Sequence, residues 1–281
     1  HLRLKGEHFM NDQGQDFKIA QTIQMDFPMY PRKFDWDGQL KVSIQVRDRL
    51  LQGVMLHAAK LIQKQNGFVY LLFSNSGFLD VTKNWICSMQ RFPEVLSNVL
   101  FVVSSPAVAL QIERLDASLK AVVRHTEHQG KSQFGSPEYF QIVLDRIKIQ
   151  NFLLQHNIST FVIESDQHWT EDITPYLRQL FLNDNLIGSR ESSSNNDEKE
   201  VICGGFFGLP GTAKMKIFFS TFLESYQVSL AETTQEGDFK QFENDQVFLT
   251  KVAKDNNVEI VWLHHCVYAN GLWYKKKTRN Q

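Results

Sequence analysis

A chain of 281 residues, 42% hydrophobic and 22% charged, has the balance of a globular protein with a sizeable core, built as one large domain or two small ones. Its net charge of −1 gives no electrostatic reason to expect nucleic acid or an anionic membrane as partner. Three cysteines without CxxC spacing (Cys87, Cys203, Cys266) argue against a thiolate zinc site, and no apolar run is long enough for a transmembrane helix in this sequence.

Residues 1–40 read as an irregular stem or wrap, because Pro28, Pro31 and the run DWDG (35–38) interrupt any long element. Apolar residues from Val46 to Ile62 recur at helical spacing, and Asn66-Gly67 ends that helix. FVYLLF (68–73) is apolar without alternation, as in a strand covered on both faces, and SNSG (74–77) follows it. A helix over 80–91 stops before Pro93, VLFVVS (99–104) is a second buried strand, and Pro106 opens a further helix in its first turn. AVVR (121–124) is a third strand. Ser136-Pro137-Glu138 starts a helix from Tyr139 to His156 that carries Arg146 and Lys148. The strand Thr160 to Ile163 then ends abruptly in Glu164-Ser165-Asp166. Helix and strand alternate to this point, which predicts an α/β fold with a mainly parallel sheet and helices on both faces.

The second half is less regular. SRESSSNNDEKE (189–200) is a polar loop, and VICGGFFGLPG (201–211) is a strand whose glycines imply bulges or close backbone approach. GLPGTAK (208–214) resembles a phosphate loop but lacks its Gly-Lys-Ser/Thr ending, which excludes a nucleoside-triphosphatase. Helices are expected over Thr212 to Leu230 and Phe239 to Asp255, then a strand VEIVWL (258–263) leading into His264 and His265. The sequon Asn157-Ile158-Ser159 would accept a glycan only in a secretory compartment.

Two carboxylates one residue apart at a strand's carboxyl end suit a hard divalent cation that takes its other ligands from phosphates and water. Most such triplets are merely turns or caps. Here four pieces ask for one explanation: the acidic pair, the glycine pair Gly204-Gly205, the Asn-Asp-Gln of 244–246, and the histidine pair after the last strand.

Taken in order, several stretches resemble the nucleotide-diphospho-sugar transferase domain of plant cell-wall xylosyltransferases and related animal and protist galactosyl- or xylosyltransferases. SNSGFLDVTKNWICS (74–88) is similar to the family's first nucleotide-side segment and RIKIQNFLLQHN (146–157) to the helix ahead of its metal motif. ESDQHW (164–169) stands where the family has Asp-x-Asp-x-x-Trp, CGGFFGL (203–209) for its Gly-Gly-Phe, ENDQVFL (243–249) for its Asn-Asp-Gln, and YANG (268–271) for its Phe-Pro-Asn-Gly turn. The resemblance covers about residues 65–275.

It implies a GT-A-type, Rossmann-like fold after a stem over 1–45, with a nucleotide half (46–169) and an acceptor and donor-sugar half (170–281). It implies a glycosyltransferase, hexosyl or pentosyl, that uses Mn2+ or Mg2+ to move sugar from a UDP-sugar to a glycan or glycoprotein, with retention. The resemblance puts Asp166, Glu164 and His265 (ahead of His264) at the metal. It puts Asn75, Ser76, Arg146 (with Lys148 as the competing base), Glu164, Ser165, Gly204 and Gly205 at the donor, and Asp245 and Gln246 at the reacting sugar. Trp169 is expected to pack, and Lys275, Lys276 and Lys277 to form a solvated tail. The expected compartment is the Golgi lumen, through an anchor preceding His1, with the cytosol as alternative. Glu164 in place of the family's Asp supports a competing reading: a GT-A-like domain that binds nucleotide-sugar or glycan without turnover.

Overall fold

The computed structural model describes residues 36–124, 132–191, 200–236, 239 and 242–264, with side chains from Leu51 on, and four two-residue strands nearer the N-terminus. Those strands pair antiparallel: β1 (Leu2–Arg3) with β4 (Gln24–Met25), and β2 (Phe9–Met10) with β3 (Asp16–Phe17). Then follow α1 (Trp36–Asn66), β5 (Val69–Ser74), α2 (Leu79–Met89), α3 (Pro93–Ser97), β6 (Val99–Val103), α4 (Pro106–Glu113), β7 (Lys120–Val123), α5 (Pro137–Gln155) and β8 (Thr160–Ile163). The second half adds α6 (Thr174–Leu180), β9 (Leu186–Arg190), β10 (Ile202–Leu209), α7 (Ala213–Glu236), α8 (Asp245–Asp255) and β11 (Ile260–Trp262).

Seven strands form one sheet in the order β11-β9-β10-β8-β5-β6-β7. The β5, β6, β7 and β8 pairings are parallel, as is β9 with β11, while β10 is antiparallel to both neighbours. Hence β10 alone runs against the rest, and the expected mainly parallel sheet flanked by helices is what the chain forms.

Alternate strand residues bury on opposite faces. Tyr70, Leu72, Phe101 and Val103 pack with Trp85, Ile86, Val95 and Ile112 of α2, α3 and α4. Val69, Leu71, Leu100 and Val102 pack with Met55, Ala59 and Ile62 of α1 and with Ile149 and Leu153 of α5. On the same side as α1 and α5, Val162, Phe207 and Leu209 meet α7 and α8 through Phe218, Phe219, Phe222, Leu249 and Val252.

Local signals set the helix starts that matter. Ser136 accepts the Tyr139 amide at 3.2 Å with Pro137 in the first turn, and Ser105 accepts that of Val108 ahead of Pro106. Three expectations need correction. α1 starts at Trp36, across the DWDG run, because the first-turn amides of a helix have no intrahelical partner and a glycine there breaks little. α8 starts at Asp245, where the Asn244 side chain accepts the Val247 amide at 3.1 Å, and not at Phe239. The stretch 189–200 is loop only in part, since β9 reaches Arg190. Short α6 and β9 carry no periodic signal and are absent from the sequence reading.

Cys87 is exposed and Cys203 buried, and they form no disulfide with each other. No described helix is long and apolar enough to cross a membrane.

Candidate active site at the carboxyl edge of the sheet

Because only β10 is reversed, the carboxyl ends of β5, β6, β7, β8, β9 and β11 and the amino end of β10 share one edge. In α/β sheets this is the edge where ligands bind. Glu164 leaves β8 there. The antiparallel register pairs Phe207 with Val162, and continued by two residues it sets Gly205 opposite Glu164. The Glu164 side chain lies across Gly205 so closely that a Cβ at 205 would fall inside the carboxyl group, 2.9 Å from Glu164 Cγ. Gly204 yields in the same way to α8: its added Cβ would stand 2.9 Å from Gln246 Cγ and 3.0 Å from Asp245 Oδ2. The register of β10 against β9 shifts between Ile202 and Phe207, so the glycine pair also sits in an irregular stretch of strand.

Arg146 ties the pieces together. It reaches from α5 to Glu164 Oε1 at 3.4 Å, donates to the Gly204 carbonyl at 3.0 Å, and lies over the Phe73 ring at 5.5 Å. Lys148, two residues on, is turned about 200° around the helix and cannot share that face. Gln246 Oε1 accepts the Gly204 amide at 2.9 Å, so both backbone polar groups of Gly204 are held. Gln167 donates to the Gly205 carbonyl at 2.8 Å.

Burial, then repulsion from Asp166 and Asp245, raises the Glu164 carboxyl above its ordinary value against the pull of Arg146. Burial also raises Asp245, opposed by Arg146 and by the amides of Asp245 and Gln246. For Arg146, burial works against the charge, but Glu164, Asp245 and Tyr139 outweigh it and hold the guanidinium above its usual value. Burial and the Asp245 charge push the Tyr139 phenol up, which places this ring beside the same acids.

The structure therefore brings Arg146, Glu164, Gly204, Gly205, Asp245 and Gln246 into one contacting group. Asn75 and Ser76 lie in the loop after β5, one strand spacing (about 5 Å) from β8. Asn75 Oδ1 accepts the Gly77 amide at 2.9 Å and shapes that turn. Ser165 and Asp166 occupy the turn after β8, with Asp166 exposed. Trp169 is buried, edge-on to Tyr70 and Phe206 at 5.7 and 6.1 Å, and packs as expected. His264 follows β11, three strand spacings (roughly 14 Å) from the end of β8. Among the described residues no three His, Cys, Asp or Glu side chains cluster as a metal site. His265, the 268–271 turn and the three lysines 275–277 lie outside the described residues.

Sequence reasoning missed Tyr139 and Gln167. Gln167 lies three residues beyond Glu164, but nothing local marks its amide as a partner of β10.

Among solved structures, the chain is similar to a mannosyltransferase from Pyrobaculum calidifontis in complex with GDP-Man and Mn2+. The match has 9% identity and a TM-score of 0.40, and covers 86% of this chain and 72% of that one. No curated protein matches the chain. A family model described as nucleotide-diphospho-sugar transferase matches residues 94–278, a span that takes in Arg146, Glu164, Asp166, the glycine pair and Asp245. With most of its length matched, the chain belongs to the nucleotide-diphospho-sugar transferase family.

Proposed function

We propose that this chain is a metal-dependent glycosyltransferase that moves a sugar from a UDP-sugar to a glycan or glycoprotein acceptor, with retention. The observation that carries the reading is the convergence of Arg146, Glu164, Gly204 and Asp245, from four separate segments of the family-matched region, on the carboxyl edge of the sheet.

The donor set suits a cation held mainly by the substrate. Asp166 offers an exposed carboxylate, a hard oxygen donor, while Glu164 is occupied by Arg146. Asp166 would hold Mn2+ or Mg2+, with His264 or His265 as further candidates. Bound to the diphosphate, the cation would stabilise the charge that develops on the leaving group. Arg146 keeps Glu164 in place, and Glu164 lies toward the donor sugar or ribose. Asp245, at the first turn of α8, accepts hydrogen bonds from sugar hydroxyls, and Gln246 fixes the Gly204 backbone beside it. Asn75 and Ser76 border the nucleotide. The sugar type, the acceptor and a Golgi-lumenal location with a preceding anchor belong to this reading as family expectations.

The ion pair of Glu164 with Arg146 favours one rival: a domain that binds the donor without turnover. A screen of UDP-sugars for slow hydrolysis, with and without Mn2+, separates the two. Manganese-dependent UDP release from one donor, lost in Asp166→Ala, supports the transferase and names the sugar. Binding of UDP with no release, even with candidate acceptors, supports the rival, and absence of both refutes the two readings together. The anomeric configuration of the product, read by NMR, decides retention.

A further inference from the structure

We propose that a small cavity behind Asp245 holds one ordered water molecule, and that Gln150 acts through it as a positioning residue for Asp245. Gln150 lies one turn after Arg146 on α5, so the two side chains share a helix face. It is buried, at 2% exposure, deep beneath the site. Among the described residues its Oε1 has no hydrogen-bond partner, and neither has the buried hydroxyl of Tyr226 on α7.

Gln150, Arg146 and Asp245 line the cavity together with Val143, Phe207 and Phe222. Its volume of about 10 Å³ is room for a single water. An amide oxygen buried without a partner keeps the full cost of its lost hydration. A buried water typically makes about three hydrogen bonds. Here it can donate to Gln150 Oε1 and to the Asp245 carboxylate, and accept from the Arg146 guanidinium. These groups come from α5 and α8, both of which pack on α7, so the water would tie Asp245 to α5 from behind while its other face meets the site.

The positioning role rests on the reading of Asp245 as facing the donor sugar; the water does not. Crystal structures of the wild type and of Gln150→Leu, at a resolution that shows ordered water, test both. The expected result is a wild-type density peak within hydrogen-bond distance of Gln150 Oε1 and of Asp245 or Arg146. In Gln150→Leu the peak is gone and the Asp245 carboxylate has turned. The kcat for slow donor hydrolysis falls about tenfold, with KM and melting temperature held, as expected of a misplaced group. Gln150→Met, which keeps the length of the side chain, replaces the leucine variant if that fails to fold. An empty wild-type cavity, or a protein donor on Gln150 Oε1, overturns the water. An unmoved Asp245 with unchanged kcat in the variant overturns the positioning role. A wild type that hydrolyses no donor counts against the transferase alone, since the pair of crystal structures still decides the water and the Asp245 rotamer.

Discussion

A methyl group at position 205 is incompatible with Glu164 where it now lies, so Gly205→Ala tests the site at its tightest contact. The alanine must drive the carboxyl off β10 and break its pairing with Arg146. Donor hydrolysis, measured with Mn2+ and the preferred UDP-sugar, should fall at least about tenfold, as when a positioned group is displaced. Gly53→Ala is the matching control: Gly53 lies exposed within α1 with nothing within 4 Å of its added Cβ. There the methyl should leave activity unchanged and stabilise the fold by about 0.5–1 kcal/mol in urea titration, the helix propensity difference. The two acids make a second residue-scale prediction. Glu164 and Asp245 are both raised when folded, so the folded chain holds protons that the unfolded chain would release. Their stabilising contribution is complete below the unfolded carboxyl value, near pH 4, and is lost as pH rises through the folded value. Asp245→Asn removes one of these groups. Metal-free melting temperatures should show the wild type losing ground to Asp245→Asn as pH rises from about 4 to about 8. A difference that stays flat with pH refutes the assignment for Asp245.

Helix α8 carries Asp245 and Gln246 in its first turn, so its cap sets their aim. Asn244→Ala removes the acceptor of the Val247 amide and should cost about 1 kcal/mol in chemical denaturation. Donor hydrolysis should drop by more than that stability loss implies, because the same turn holds the Gly204 amide through Gln246. Equal activity in Asn244→Ala and wild type would show that α8 keeps its first turn without the cap. This element also marks the limit of local reading. The run from Phe239 looks continuous with the helix, and only the competition of Asn244 for a cap role explains the later start. By contrast, β8 is legible to the residue, since three buried apolar residues, Phe161, Val162 and Ile163, bounded by Thr160 and Glu164 leave a strand little freedom. The direction of β10 is not legible. Its eight buried residues would suit a strand of either direction, and the reversal follows from how α6 and β9 route the chain before it. The pairing of Gly205 with Glu164 depends on that reversal, so the glycine pair could be seen in the sequence while its partners could not.

The candidate site has no continuous wall: α5, the β8 turn, the start of β10 and the start of α8 each supply one or two groups, from Arg146 to Gln246 in the chain. Alternation of helix and strand was enough to predict the sheet and to place the acids on its carboxyl edge. The Arg146 pairing needed the fold, because two basic residues on α5 compete for the role and only the helix phase against β8 separates them. A site gathered in this way links donor binding to global stability, since a ligand that bridges the segments binds the folded chain alone. At a hundredfold excess over Kd, such binding adds about 2.7 kcal/mol. For a chain of this size that is a rise of about 5 °C in Tm. UDP with Mn2+ should therefore raise the melting temperature by several degrees, whereas UDP without a divalent ion should do much less. Asp166→Ala should abolish the manganese-dependent part while keeping the metal-free Tm near that of the wild type, since Asp166 is exposed. A manganese effect that survives Asp166→Ala would move the cation to ligands other than the β8 turn, with the histidines after β11 the next to substitute.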